Sequence, residues 1–229
     1  MTEMAKIIFD IETVGRELSS FDETTQEYLL KYAKTDEEEQ EIRDSLSFYP
    51  VTAQIVTIAM LEVETQKSFV YFQTPGEPPQ KTVEDSAEYI SVANEKQLLE
   101  LFWSKIAKYE NFITFNGRSF DCPFIIVRSA INQIKATKNL MPDRYRSNAH
   151  IDLMEKLTFL GATRKRFSLH MWCTAFGIKS PKDEGITGLD VKDLFKDKKF
   201  FDIARYCLRD VAATKELYLY WEKFINFPA

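Results

Sequence analysis

The stretch "KIIFDIET", residues 6–13, decides how this chain folds. Ile7, Ile8 and Phe9 form an apolar run of the kind that becomes a buried strand, yet the run ends on two acids, Asp10 and Glu12. Successive side chains of a strand point to opposite faces, so these two carboxylates share one face. Held side by side they repel each other unless a cation lies between them. The plainer alternative is a strand that surfaces into solvent, where acids are common. The stretch alone leaves both open, and the rest of the chain has to decide.

At 229 residues, with 45% hydrophobic content, the chain is long enough for one sizeable core. Seven Gly and eight Pro argue against extensive disorder. No apolar stretch approaches the length of a membrane span, and the amino terminus lacks the basic and apolar regions of a signal peptide. Cys122, Cys173 and Cys207 form no Cys-x-x-Cys pair and read as reduced packing residues of a cytoplasmic protein. The net charge of −5 argues against coating nucleic acid through bulk charge. The charge is segregated, however. Residues 17–44 hold ten acids against three bases, and residues 128–170 hold nine Lys or Arg against three acids. The second segment can form a local basic surface, or simply solvated loops and helix faces.

Along the chain, residues 6–11 read as the first strand, and 21–46 as a helical excursion ended by Pro50. "AQIVTIAMLEVE" (53–64) and "KSFVYFQT" (67–74) read as an antiparallel hairpin, and "PGEPPQ" (75–80) as a surface loop. Asn94 is a fair N-cap for a helix whose Leu98, Leu101, Phe102 and Ile106 make one stripe. "NFITFN" (111–116) is the next strand, a helix begins at "FDCPF", "AHIDLM" (149–154) is a short strand, and the final helix spans about 200–224. The order predicts an α/β protein, a mixed sheet flanked by helices. We read the whole of 1–229 as one domain with an acidic helical insertion at about 17–46.

Two further acids join the first pair. Asp121 follows "NGRSF" at the start of a helix, and Asp210 ends "YCLRD" (206–210), with Tyr206 one turn before it on the same helix face. Four carboxylates gathered at one spot cannot all stay ionised without compensation, and all-oxygen donors of this kind select hard divalent ions. "DIE" (10–12), "NGRSFD" (116–121) and "YCLRD" (206–210) match in order the three motifs of the DEDD exonuclease superfamily. The chain resembles most the 3'-5' exonuclease domain of B-family DNA polymerases and its stand-alone relatives of predicted function. The likeness runs from residue 6 to about 222, and "FGIKSPKDEGITGLDV" (176–191) shares it.

The resemblance implies a ribonuclease H-like fold. It also implies two-metal hydrolysis at the 3' end of single-stranded DNA, with Mg2+ or Mn2+ as two ions per site. Asp10, Glu12, Asp121 and Asp210 take the places of the metal ligands, and Tyr206 that of the phenol orienting the attacking water. The sister branch carries a His where this chain has Arg205, so the chain looks like the tyrosine branch. Thr13, Asn116 and Phe120 match positions of the first two motifs and are candidates for substrate contact. Arg164, Lys165 and Arg166 are candidates for a backbone path within the basic segment. RNA is the alternative substrate, and a nuclease-like binding or scaffold module the alternative class.

Other residues carry less. His150 and His170 have no partner at ligand spacing and read as structural or surface. Asp152 reads as a helix cap rather than a fifth acid. Lys182 follows Pro181 and is a weak candidate for a phosphate. Phe102, Trp103, Trp172 and Trp221 read as core, and Cys207 as packing. No Gly-x-Ser-x-Gly elbow and no Gly-x4-Gly-Lys loop occurs.

Overall fold

The computed structural model describes residues 5–145, 149–180, 185 and 187–227. Lys182 and Arg146 therefore lie outside the described residues. The first strand, β1 (Lys6–Gly15), runs past the point where the apolar stretch ends and carries both acids within it. It is central because it pairs on both sides: antiparallel with β2 (Ala53–Glu62) and parallel with β6 (Asn111–Thr114). The seven-stranded sheet has the order β4-β5-β3-β2-β1-β6-β7. β3 is Ser68–Gln73, β4 Lys81–Glu84, β5 Ala87–Val92 and β7 His150–Asp152. Between β1 and β2 stand two helices, α1 (Glu23–Leu30) and α2 (Asp36–Ser45), where the sequence indicated one helical stretch.

β4 and β5 extend the sheet beyond the three leading strands that the sequence pattern indicated. β4 is four residues long and exposed. Its connection to β5 is the two-residue turn Asp85–Ser86, with φ of 48° and 67°. Both positive dihedrals fit a tight hairpin, but Asp-Ser is a much weaker turn signal than Asn-Gly.

The pleat of β1 sorts its side chains between two cores. Ile7, Phe9 and Ile11 face α3 (Glu95–Ile106) and α4 (Asp121–Ile131), packing with Leu98, Phe102 and Phe124. After α5 (Leu153–Leu157), α6 (Leu169–Ala175) and α7 (Val191–Lys196) comes α8 (Phe200–Phe224), which Ile8 faces, packing with Leu217 and Tyr218. Asp10 and Glu12 alternate in phase with Ile8 and so lie on the α8 face, where Tyr206 and Asp210 reside.

β1 and β6 stay paired only from Lys6–Asn111 to Ile8–Ile113. Beyond Thr114 the chain turns away through Asn116 at φ 63° and Gly117. Asn is among the few residues that tolerate this left-handed region. Gly117 is required for another reason: a Cβ there would lie 2.4 Å from Thr114 Oγ1. Gly117→Ala should destabilise the protein by about 1–3 kcal/mol, as overpacking of a filled site does. Gly188→Ala, where an added Cβ meets nothing within 4 Å, should stay within about 0.5 kcal/mol of wild type. Urea unfolding of the two variants checks this; equal stabilities would contradict the steric assignment.

Candidate active site

The gap left where β1 and β6 part is filled by the start of α4. Asp121 Oδ1 accepts the Ile11 backbone N–H at 3.1 Å, replacing a ladder hydrogen bond and bringing its carboxylate beside Asp10 and Glu12. The turn that delivers it is pinned by Asp152, whose Oδ1 accepts from Asn116 N at 3.1 Å and whose Oδ2 accepts from Arg118 N at 2.9 Å. Asp152 also caps α5 (Leu153–Leu157) by accepting from Met154 N and Glu155 N, as its sequence position indicated. The second role depends on a contact more than thirty positions away in the chain and leaves no local signal. Arg118, buried itself, donates to Pro142 O and pairs with Glu155 at 3.4 Å, fixing the same turn from behind.

The fourth carboxylate arrives on α8. Tyr206 is buried and its side chain hydrogen-bonds Asp210 one turn later. Cys207, fully buried, lies between α8 and β1, with its Sγ 3.5 Å from Asp10 O and 3.8 Å from Asp10 Oδ2. Donor atoms of Asp10, Glu12 and Cys207 all lie within 4.8 Å of one another. Cys207 is therefore packed against the acids, a placement that a reading as plain filler did not reveal.

Burial raises the carboxyl pKa of Asp10 well above its ordinary value, with Asp121, Asp210 and Glu12 adding repulsion. Glu12 is raised well above its ordinary value too, again by burial first and then by Asp210 and Asp121. Asp121 rises to about 7, chiefly by burial, against the hydrogen bonds it accepts. Burial and the neighbouring carboxylates drive the Tyr206 phenol upward, so it remains protonated and acts as a donor. Among the described residues, no lysine or arginine forms an ion pair with Asp10, Glu12 or Asp121.

Two chambers of about 450 Å3 each meet at these acids and share Asp10, Phe115, Asn116, Tyr206 and Asp210. The first continues along Met154, Arg166, Phe167 and His170. The second holds Glu12, Thr13, Phe120 and Asp121 and is lined further by Ser47, Phe48, Thr187 and Gly188. Thr13 spends its hydroxyl on Ser47 O at 2.7 Å. Of the three basic candidates only Arg166 lines a chamber, and it reaches Ser119 Oγ at 3.2 Å. Arg164 and Lys165 are exposed and line neither chamber. Much of the remaining basic segment is engaged elsewhere: Arg128 with buried Glu95 at 2.6 Å, Arg144 with Glu155 at 2.5 Å and Lys138 with Tyr109 O at 2.6 Å. Arg205 forms two 2.8 Å hydrogen bonds to Glu84 on β4.

The two histidines part company. His150 is buried, stacked on Phe112 and paired with Thr114, with its pKa lowered to about 3 by burial. His170, by contrast, lines the first chamber, its Nδ1 2.7 Å from Ser180 Oγ. Its separation in sequence from every motif hid that placement.

A family model described as "Predicted 3'-5' exonuclease related to the exonuclease domain of PolB" matches residues 47–226. The span holds Asp121, Tyr206 and Asp210 and begins after Asp10 and Glu12. Among solved structures, the chain is similar to the family B DNA polymerase from the hyperthermophilic archaeon Pyrobaculum calidifontis, with a TM-score of 0.60 and 15% identity. The alignment covers 96% of this chain but 25% of the polymerase, so the chain spans a quarter of that protein's length. The likeness shows the fold, a ribonuclease H-like mixed sheet with flanking helices. No curated protein matches the chain.

The raised carboxyl of Asp121 makes metal-free stability depend on pH. Its unfolded value is 3.8 and its folded value about 7, so the folded state holds the extra proton in that window. The stability it contributes is complete below the unfolded value and is lost as pH rises through about 7. In EDTA, the melting temperature of wild type should fall between about pH 4 and pH 7 more steeply than that of Asp121→Asn, which keeps the Ile11 acceptor without the charge. Parallel pH profiles would contradict the assignment.

Proposed function

Because the chain belongs to the family of predicted 3'-5' exonucleases related to the exonuclease domain of PolB, we propose that it hydrolyses the terminal phosphodiester at the 3' end of single-stranded nucleic acid, DNA in the first instance. The observation that carries this reading is the convergence of Asp10, Glu12, Asp121, Asp210 and the Tyr206 phenol where the two chambers meet.

The donor set fits divalent cations. The carboxylates are raised by burial and mutual repulsion, and hard ions bound by oxygen ligands supply the missing compensation. Asp10, Glu12, Asp121 and Asp210 would hold Mg2+ or Mn2+, as two ions per site. When bound, these ions would lower the pKa of a water and offset charge on the departing oxygen.

The protein's own groups do the positioning. Asp121 is fixed by Ile11 N and by the Asp152-pinned turn, so its carboxylate is ordered before substrate arrives. Tyr206, kept protonated and donating to Asp210, can accept a hydrogen bond from the attacking water and so orient it, but is no general base at neutral pH. Water attacks the phosphorus, the bond to the 3'-oxygen of the preceding nucleotide breaks, and a 5'-mononucleotide leaves with a new 3'-hydroxyl behind it. Asn116 and Phe120 are proposed to contact the terminal nucleotide and Arg166 a backbone phosphate. The Arg205–Glu84 pairing, directed to β4, supports the tyrosine-branch reading.

Release of mononucleotides from single strands, DNA and RNA in parallel, should require added Mg2+ or Mn2+ and stop in EDTA. Asp10→Ala and Asp210→Ala should each lose activity by orders of magnitude. Tyr206→Phe should lose less, since a positioning group contributes about 10² to 10⁴-fold. Near wild-type turnover in purified Asp10→Ala would contradict the proposal.

A further inference from the structure

Ser47 and Phe48 line the second chamber, at the close of the segment that leaves β1 at Gly15 and returns at Ala53. Gly15 pairs with Ala53, and Arg16 N donates to Thr52 O at 2.8 Å, so the ends of segment 16–52 meet as the ends of a hairpin loop do. The segment's return limb is seated firmly on β1. Thr13 Oγ1 donates to Ser47 O at 2.7 Å, Thr52 Oγ1 donates to Leu46 O at 2.7 Å, and Leu18 and Leu46 are buried. A Cβ on Gly15 would lie 2.9 Å from Ser47 N, so the two backbones touch there. Phe48, in this fixed limb, is nevertheless 54% exposed. Its ring is thus presented at the chamber wall with about half its surface in water.

The charge of the segment is equally one-sided. Residues 17–44 hold ten acids and three bases, a balance of −7, whereas the whole chain carries −5. The remainder is therefore +2, the difference between those two balances. The first chamber, by contrast, is lined by Arg166 and His170. A strand threaded through both chambers would pass Arg166 on its way to Glu12 and Asp121.

We propose that segment 16–52 is an end-stop. Phe48 packs on the 3'-terminal nucleoside in the second chamber, and the acidic segment rising from that chamber's wall repels any phosphate beyond it. The backbone enters along Arg166 and His170 and must finish, as a free 3'-hydroxyl, at Phe48. The site then takes ends and refuses both closed strands and 3'-phosphorylated ends. This inference rests on the hydrolytic reading above, and adds which feature confines hydrolysis to the terminus. Repulsion from exposed acids is screened by salt, so refusal of a 3'-phosphate should weaken as ionic strength rises.

The test uses three single-stranded probes with Mn2+: a linear strand with a 3'-hydroxyl, the same strand with a 3'-phosphate, and a covalently closed circle. Wild type should process the hydroxyl end about 100-fold faster than the phosphate end, and leave the circle intact. In one variant Asn-Gly replaces residues 16–52 and joins Gly15 to Ala53. A second variant, Phe48→Ala with Glu37→Gln and Glu41→Gln, keeps the buried anchors and decides the matter if the first fails to fold. Both should bring the two linear rates to within about tenfold, and the first should nick the circle. Wild type that processes the phosphate end or the circle as fast as the hydroxyl end would overturn the end-stop. So would a second variant with wild-type discrimination. Wild type inert on all three probes would instead overturn the hydrolytic reading itself.

Discussion

The buried hydrogen bond from Ile11 N to Asp121 Oδ1 is the interaction on which the site depends. β1 and β6 must separate before the acids for a carboxylate to fit between them, and they must separate little enough for that carboxylate to finish the ladder. The turn at Asn116 and Gly117 sets the separation, and Asp152 holds the turn. Ladder, turn and helix cap therefore share their hydrogen bonds. A change in any one shifts the carboxylate that faces Asp10 and Glu12.

The same economy makes the site electrostatically costly. Asp10 and Glu12 lie in phase with Ile8 on a strand buried on both faces, and burial is the main cause of their raised pKa values. A protein selected for stability alone would place apolar residues there, since uncompensated buried charge is destabilising. On the reading proposed above, the cluster is a site kept poised for cations, with the apolar cores of α3, α4 and α8 on either side of the sheet offsetting the cost.

Much of this was legible in the sequence, because the decisive signals are local. "DIE" continues an apolar strand run, "NGRSFD" spans a turn and a helix start, and Tyr206 and Asp210 are one helical turn apart; each states its geometry within six residues. What sequence could not show is pairing at a distance. The count of basic residues from 128 to 170 did not reveal that Arg128 and Arg144 are bound to glutamates, which leaves Arg166 as the one candidate of the three at a chamber. β4 and β5 were missed because one is short and exposed and their turn lacks Asn-Gly. Phe48 and His170 reach the chambers through tertiary packing, and no periodicity marks them.

The central claim is that Asp10, Glu12, Asp121 and Asp210 together form a cation site. Crystals soaked in Mn2+ and measured at the manganese absorption edge test it most directly. The account predicts anomalous peaks among these four carboxylates in wild type, and their loss in Asp10→Asn. Peaks only elsewhere on the protein, or none at saturating Mn2+, would contradict it.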